Sequence, residues 1–378
     1  MAGFRLNDWV DAWLLGAATR VPRPGRGLIV VSSGGLGDTI LFSLAFPRFQ
    51  ALARPGEPVH LVLRRDTAKA AFLFPPDVNV IAIDYRRFTR NPLYRLGQGR
   101  RLRGLGARLA VSADHLRLPT VDDVLVMASG AAERCALEPR SWPKHDARLR
   151  RNRAWYSDWV SVPPQMAHKM RRWIDLANAL ANRVDPLPLV RISPERLPPP
   201  ARLDAPTVVI HPFSAVPDKQ HSVDLWRRIL AQLPPSFEVV MSAGPRDLAT
   251  HPEFSTLLTL PRVRLDQGDL SSTAALIRAA RFVVSVDSSI LHLAVGTGTP
   301  TLALASAAHV VDAIPYDPAM TPANVEVLYH DMPCRGCGGQ CIFPAEDGRY
   351  PCVARLDRGL VLARVRALAR AAERSPIL

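Results

Sequence analysis

The chain has 378 residues, 48% of them hydrophobic and 22% charged. This balance excludes wholesale disorder, a collagen-like chain and a coiled coil, and the length suits two domains of about 150 residues, each with its own core. The formal charge of +14 is almost wholly arginine, because Lys69, Lys144, Lys169 and Lys219 are the only lysines; such an excess favours phosphate-bearing substrates, an acidic membrane face or nucleic acid.

No apolar run reaches the length of about 18 residues that a membrane span needs. Residues 1–26 are expected to be a helical extension, since Phe4, Leu6, Trp9, Val10, Trp13 and Leu14 recur at near-helical spacing, interrupted by Asp8 and Asp11. A basic start and a long apolar run are both missing, so it is not a secretory signal, and a cytoplasmic protein is expected. The helix reads either as docked on the body of the protein or as a membrane-surface anchor.

After Pro22 to Arg26 ends that helix, Gly27 to Ser33 (GLIVVSS) reads as a buried parallel strand. The loop of Gly34, Gly35, Gly37 and Asp38 follows, and then the helical run TILFSLAFPRFQAL. His60 to Arg65, Val78 to Asp84 and Ala107 to Ser112 read as further strands. Between the last two lies a segment carrying Arg86, Arg87, Arg90, Arg95, Arg100, Arg101, Arg103 and Arg108 among Phe88, Tyr94 and glycines. It reads as a mobile solvated loop or as a grip on acceptor phosphates. No RNP, KH or helix-turn-helix signature accompanies it, which argues against nucleic acid.

Prolines crowd Pro186 to Pro206, where the interdomain linker is expected. A second strand series then begins with Thr207 (TVVIHP), followed by Phe237 to Pro245, Ala280 to Asp287 and Thr299 to Ser306. Alternation of strands and helices means a mainly parallel α/β sheet, here twice. The expected domains are 27–190 and 205–355, the latter with a cysteine-rich segment at 334–352, and an arginine-rich helix closes the chain at 356–378.

Four places carry chemistry. In the first glycine loop the backbone can approach a ligand closely at a helix N-terminus, although no GK[ST] follows and the spacing departs from GxGxxG; Asp38 reads as part of this anion site or as a plain helix cap. In VSVDSSILH (Val284 to His292) a strand ends at Asp287, where backbone N–H groups of Ser288, Ser289 and Ile290 would meet a diphosphate ahead of His292; the alternative is an N-cap. In HPFSAVPDK, Ser214 and Lys219 are offered to phosphate oxygens, against a solvated lysine, and Gly244 and Asp247 suit a nucleoside. Finally, Cys334, Cys337, Cys341 and Cys352, spaced C-x2-C-x3-C-x10-C, suit a structural zinc or iron, with free thiols or disulfides as the alternatives.

Together, GGLGDTILFSLAFPRFQAL, HPFSAVPDK and VSVDSSILHLAVGTGTPTLAL resemble glycosyltransferase family nine, the ADP-heptose heptosyltransferases of lipopolysaccharide assembly, over residues 27 to 310. The family's late motif of Asp, Thr or Ser, Gly, two residues, His and Leu reads here Asp287, Ser288, Ser289, Ile290, Leu291, His292, Leu293, with Ser289 in place of glycine. The resemblance implies a GT-B fold, two Rossmann-like domains facing a cleft, and inverting transfer without a catalytic metal. It implies Asp38 as the catalytic base, Ser214 and Lys219 on the donor phosphates, Asp287 to His292 as the donor loop, and Gly35 and Gly37 beside it. The expected partners are a nucleoside-diphosphate sugar, an anionic glycolipid, glycan or protein acceptor, and a peripheral inner-membrane contact. The cysteines look like those of heptosyltransferases that modify autotransporter proteins, where they hold iron. Two other readings stay open: a nucleotide-sugar epimerase or hydrolase, and a non-enzymatic metal-knot protein that binds nucleic acid or acts as a scaffold.

Overall fold

The computed structural model describes residues 2–19, 25–161 and 168–374, and the chain divides into two compact units, Met1–Leu187 and Pro188–Leu378. In the proline-rich break, residues 22–24 lie outside the described residues, as do the side chains of Phe4 and Leu6.

The first unit runs α1 (Ala2–Thr19), β1 (Leu28–Ser32), α2 (Leu36–Gln50), β2 (Val59–Arg64), β3 (Asn79–Ile83), α3 (Tyr85–Arg90), α4 (Pro92–Gly104), β4 (Leu109–Ser112), α5 (Asp122–Ala128), β5 (Glu133–Leu137), α6 (Asp146–Asn152), β6 (Asp158–Val160) and α7 (Lys169–Ala181). Its six strands are parallel in the order β3-β2-β1-β4-β5-β6. Central β1 is buried along its whole length, as its unbroken apolar run requires.

The second unit runs β7 (Thr207–His211), α8 (Val223–Leu230), β8 (Glu238–Ser242), α9 (Asp247–Thr250), β9 (Val263–Asp266), α10 (Leu270–Ala279), β10 (Phe282–Val286), α11 (Ser289–Thr297), β11 (Thr301–Leu304), β12 (Val325–Leu328), α12 (Pro351–Ala354) and α13 (Arg358–Arg374). The order β12-β11-β10-β7-β8-β9 is again all parallel. Renumbered within its own unit, it is the order of the first sheet, so the expected doubly occurring parallel α/β plan is what the chain forms. Trp226, Phe237 and Phe282 fill the core beneath it, and α13 adds Val361, Val365 and Ala369.

Two local readings change. The arginine-rich segment is not a loop but α3 and α4, because its turn chemistry starts helices: Asp84 accepts from Arg87 N at 2.9 Å, Asn91 accepts from Tyr94 N at 2.9 Å, and Pro92 takes the first turn of α4. The two acids that interrupt the apolar spacing of α1 turn out to dock it. Asp11 receives Arg95 Nε at 2.6 Å and a second guanidinium N–H at 2.8 Å, and Arg148 reaches both Asp8 and Asp11 at 3.3 Å. Leu14 fills a notch that exists because residue 99 is glycine: a Cβ there would lie 2.8 Å from both Leu14 methyls.

Because the Asp11–Arg95 pair is buried, removing one partner leaves an uncompensated charge. Asp11→Ala is expected to lower the stability of the first unit by about 3 kcal/mol in urea unfolding. Asp8→Ala, at a half-exposed pair, is expected to cost less than about 1 kcal/mol.

Candidate active site

A parallel sheet of this order has one switch point, where the chains leaving two neighbouring strands turn to opposite faces and open a crevice at the carboxyl ends. In the first unit it lies between β1 and β4, and in the second between β7 and β10. Asp38 lies at the first of these points, and Lys219 and Asp287 to His292 at the second.

At the first, the loop after β1 carries Gly34 and Gly35 into α2, and a Cβ on Gly34 would fall 2.5 Å from Asp38 Cβ. Asp38 Oδ2 accepts from Gly35 N at 2.9 Å, so the carboxylate does serve as a cap. Its other oxygen meets Lys169 Nζ at 2.5 Å, which leaves Asp38 partly exposed at the mouth of the crevice. Gly37 lies in the first turn of α2.

Behind this loop sits a carboxylate pair that sequence reasoning missed. Asp114, just beyond β4, accepts Ser33 N at 2.5 Å and lies 3.1 Å from Ser33 Oγ. The same hydroxyl lies 3.0 Å from Asp122 Oδ2, which also accepts Leu118 N, while Tyr85 donates to Asp122 Oδ1 at 3.1 Å. One hydroxyl has one proton to give, so both Ser33 contacts can be hydrogen bonds only if a carboxyl holds a proton. Burial, then the charge of Asp114, pushes the Asp122 carboxyl up to about 7. Burial and then the charge of Asp38 raise Asp114. Neighbouring Asp123, by contrast, is matched by Arg117 at 2.7 Å, Tyr156 at 2.7 Å and Asn152 at 2.9 Å. The strand-end position of Asp114 was a readable signal; the inward turn of Asp122 was not.

At the second switch point Lys219, in the turn after β7, meets Asp287, at the end of β10, with Nζ 2.6 Å from Oδ2 and both side chains buried. This excludes a solvated lysine. Apart from this ion pair, Oδ2 has no donor among the described residues. Burial works against the charge of Asp287, but Lys219, His309 and His292 outweigh it and hold the carboxyl below its ordinary value. Ser288 starts α11 in extended conformation without capping it through its hydroxyl, so the N–H groups of Ser289 and Ile290 in the first turn receive no bond from that side chain. His292 Nδ1 lies 2.7 Å from the Tyr316 hydroxyl, which burial and Asp287 keep protonated. Ser214 stands half-buried in the β7 loop and accepts Val216 N at 3.2 Å. After β8, Asp247 Oδ2 accepts Gly244 N at 2.6 Å, repeating the Gly35–Asp38 arrangement.

The cysteine segment joins this site in an unexpected way. Gly336 N and Gly338 N donate to the carbonyls of Ala307 and Ala308 at 2.9 and 2.8 Å, beside His309. Tyr350 N and Arg349 Nε donate to the carbonyls of Asp218 and Gln220 at 3.0 and 3.1 Å, on either side of Lys219. The segment therefore braces the two turns that flank Asp287. The metal knot expected from its spacing is not supported: Cys334, Cys337, Cys341 and Cys352 are free thiols, and among the described residues no group of three or more His, Cys, Asp or Glu is placed to hold a metal. Cys352 is packed as an apolar group among Ala307, Val310, Met332 and Val353, and burial, more than the neighbouring thiols, raises Cys334 and Cys352 towards the protonated form.

The sequence model of glycosyltransferase family 9 (heptosyltransferase) matches residues 142–336, more than half of the chain. The chain belongs to glycosyltransferase family 9. It is accordingly a glycosyltransferase, and its fold is GT-B. It shares that fold with E. coli ADP-heptose lipopolysaccharide heptosyltransferase II (15% identity, 92% of this chain, 99% of that chain, TM-score 0.64). E. coli heptosyltransferase WaaC, solved with ADP-2-deoxy-2-fluoro heptose, gives 17%, 90%, 99% and 0.63. A family 9 glycosyl transferase from Veillonella parvula gives 15%, 92%, 97% and 0.66. A comparison with curated protein sequences gave no match. Among the described residues no helix of this family 9 chain is long and apolar enough to cross a membrane.

Two outcomes follow from the buried charges. In the folded state the Asp114–Asp122 pair holds a proton that the unfolded chain releases near 3.8, so stability falls as pH rises towards about 7 and levels above it. Between about pH 5 and about pH 8, the wild type is expected to lose about 2 kcal/mol more in urea unfolding than Asp122→Asn. Lys219→Met strands Asp287 and is expected to cost about 3 kcal/mol, most of which Lys219→Met with Asp287→Asn restores.

Proposed function

We propose that this enzyme is an inverting, metal-independent heptosyltransferase that moves heptose from ADP-heptose to a hydroxyl of a lipopolysaccharide core or other anionic glycan on the cytoplasmic side. The buried Lys219–Asp287 pair at the β7/β10 switch point carries the reading. A lysine held there by a carboxylate, at the start of a helix, suits a nucleoside diphosphate. The fold relatives solved with ADP and with a fluorinated ADP-heptose support the choice of donor.

In this mechanism Asp38 takes the proton of the acceptor hydroxyl as that oxygen attacks the anomeric carbon from the face opposite the leaving group. The bond from the anomeric carbon to the diphosphate oxygen breaks through an oxocarbenium-like state, and ADP leaves with the electron pair. Lys169 and the Gly35 N–H fix the orientation of the carboxylate. Gly35 and Gly37 keep the loop small: only Asp38 Oδ2 lies within 4 Å of where the Gly35 Cβ would stand.

The growing charge on the leaving diphosphate is met by Lys219, Ser214 and the N–H groups of Ser288, Ser289 and Ile290, which take the part a divalent cation plays elsewhere. Asp287 aims Lys219, and His292, oriented by Tyr316, supports Asp287 from within α11. Gly244 and Asp247 take the nucleoside. Ser289 adds a hydroxyl where the family pattern has glycine.

Calorimetric titration with ADP, UDP, GDP and CDP in EDTA is expected to show micromolar binding of ADP, lost in the Lys219→Met/Asp287→Asn protein although its stability is restored. Asp38→Asn is expected to lower transfer at least about 100-fold while ADP affinity stays unchanged, with the product's anomeric configuration read by NMR. Normal turnover by Asp38→Asn would refute the mechanism.

A further inference from the structure

α1 lies outside the helix layer of the first unit, against α4 and α5. Its inner side is fully used by the Asp11–Arg95 pair and the Leu14 notch. Its outer side carries Trp9 and Trp13, one helical turn apart and 78% and 51% exposed. At the corner between α3 and α4, Leu93 is 80% exposed.

The surroundings of these apolar groups are one-signed. The run from Tyr85 to Gly104 contains no acid, and the only acids of α1 are Asp8 and Asp11, which Arg148 and Arg95 already hold. Arg86, Arg90 and Arg101 are exposed and make no ion pair among the described residues, and Arg100 lies 5.1 Å over the Trp13 ring. Two exposed indoles beside uncompensated arginines fit an interface that is apolar at acyl depth and anionic at headgroup depth. Either signal alone gives weak, reversible adsorption, whereas together they give stable attachment. Single-stranded nucleic acid would also meet arginines and aromatic rings, but it binds along a groove that tracks the backbone, and this surface is the outer side of a helix.

We propose that α1 with the arginine face of α3 and α4 docks the protein on a bilayer rich in anionic phospholipid, Trp9 and Trp13 entering the headgroup region and the arginines lying over the phosphates. This surface belongs to the first unit alone and needs no assumption about the sugar donor.

Flotation with vesicles tests it, using phosphatidylcholine alone and phosphatidylcholine with about 30% phosphatidylglycerol, a content at which a polybasic face should bind. The full-length protein should float only with the anionic vesicles, with a blue shift of tryptophan emission, and should detach in high salt. Trp9→Ser with Trp13→Ser should weaken binding about tenfold or more and remove the blue shift. Arg86→Glu with Arg90→Glu and Arg101→Glu should abolish flotation. Both variants should unfold within a few degrees of the parent, since none of these side chains belongs to the apolar core of the first unit. Flotation equal on both vesicles, or undiminished in both variants, overturns the proposal. So does tighter binding of a single-stranded RNA that displaces the vesicles, which would assign the face to nucleic acid.

Discussion

In a parallel sheet of this order the loops above the central strands cannot close over their own crevice, because the chains leaving adjacent strands turn to opposite faces. The polar groups that matter in this protein lie beside that constraint. It occurs twice, at β1/β4 and at β7/β10, with a different chemical solution each time. The first crevice holds carboxyl groups that share a proton through Ser33, with Asp38 turned towards the opening and steadied by Lys169. The second holds one matched pair, Lys219 and Asp287, with two imidazoles leaning on the same carboxylate.

These solutions differ in what they make available. A carboxylate that stays partly exposed at a strand end can receive a proton. A buried lysine held by a carboxylate keeps N–H bonds that can reach an anion. In the mechanism proposed above, acid-base work and diphosphate binding would thereby fall to separate sheets. Buried ion pairs of this kind are weak sources of stability, because desolvation offsets the attraction. Their value lies in fixing which groups face the crevice.

The cysteine-rich segment shows how a motif can be spaced for one purpose and used for another. Its glycines at 336, 338 and 339 adopt positive φ, which lets the chain turn sharply and present N–H groups to the carbonyls beside His309. Arg349 and Tyr350 do the same for the Lys219 turn. Cys352 meanwhile behaves as a small apolar residue. The spacing was visible in the sequence; the contacts it makes were not, because they join distant residues, Arg349 and Tyr350 to a turn more than a hundred positions earlier.

The sequence by itself determined the central strands, since unbroken apolar runs such as those of β1, β7 and β10 can be satisfied only by burial on both faces. It also determined the strand-end positions of Asp38, Lys219 and Asp287, because parallel strands deliver their following residues to one edge. The outer strands β5, β6, β9 and β12 were not legible: ERCAL, DWV, VRLD and VEVL are short and mix charge with apolar residues, so no period distinguishes them from loop. Only the tertiary structure decided that Asp8 and Asp11 dock α1, that Asp122 turns inward, that Lys169 meets Asp38, and that the arginine run is helical and one-signed on its outer face. Each of these depends on which distant groups share a volume, and local periodicity carries no information about that.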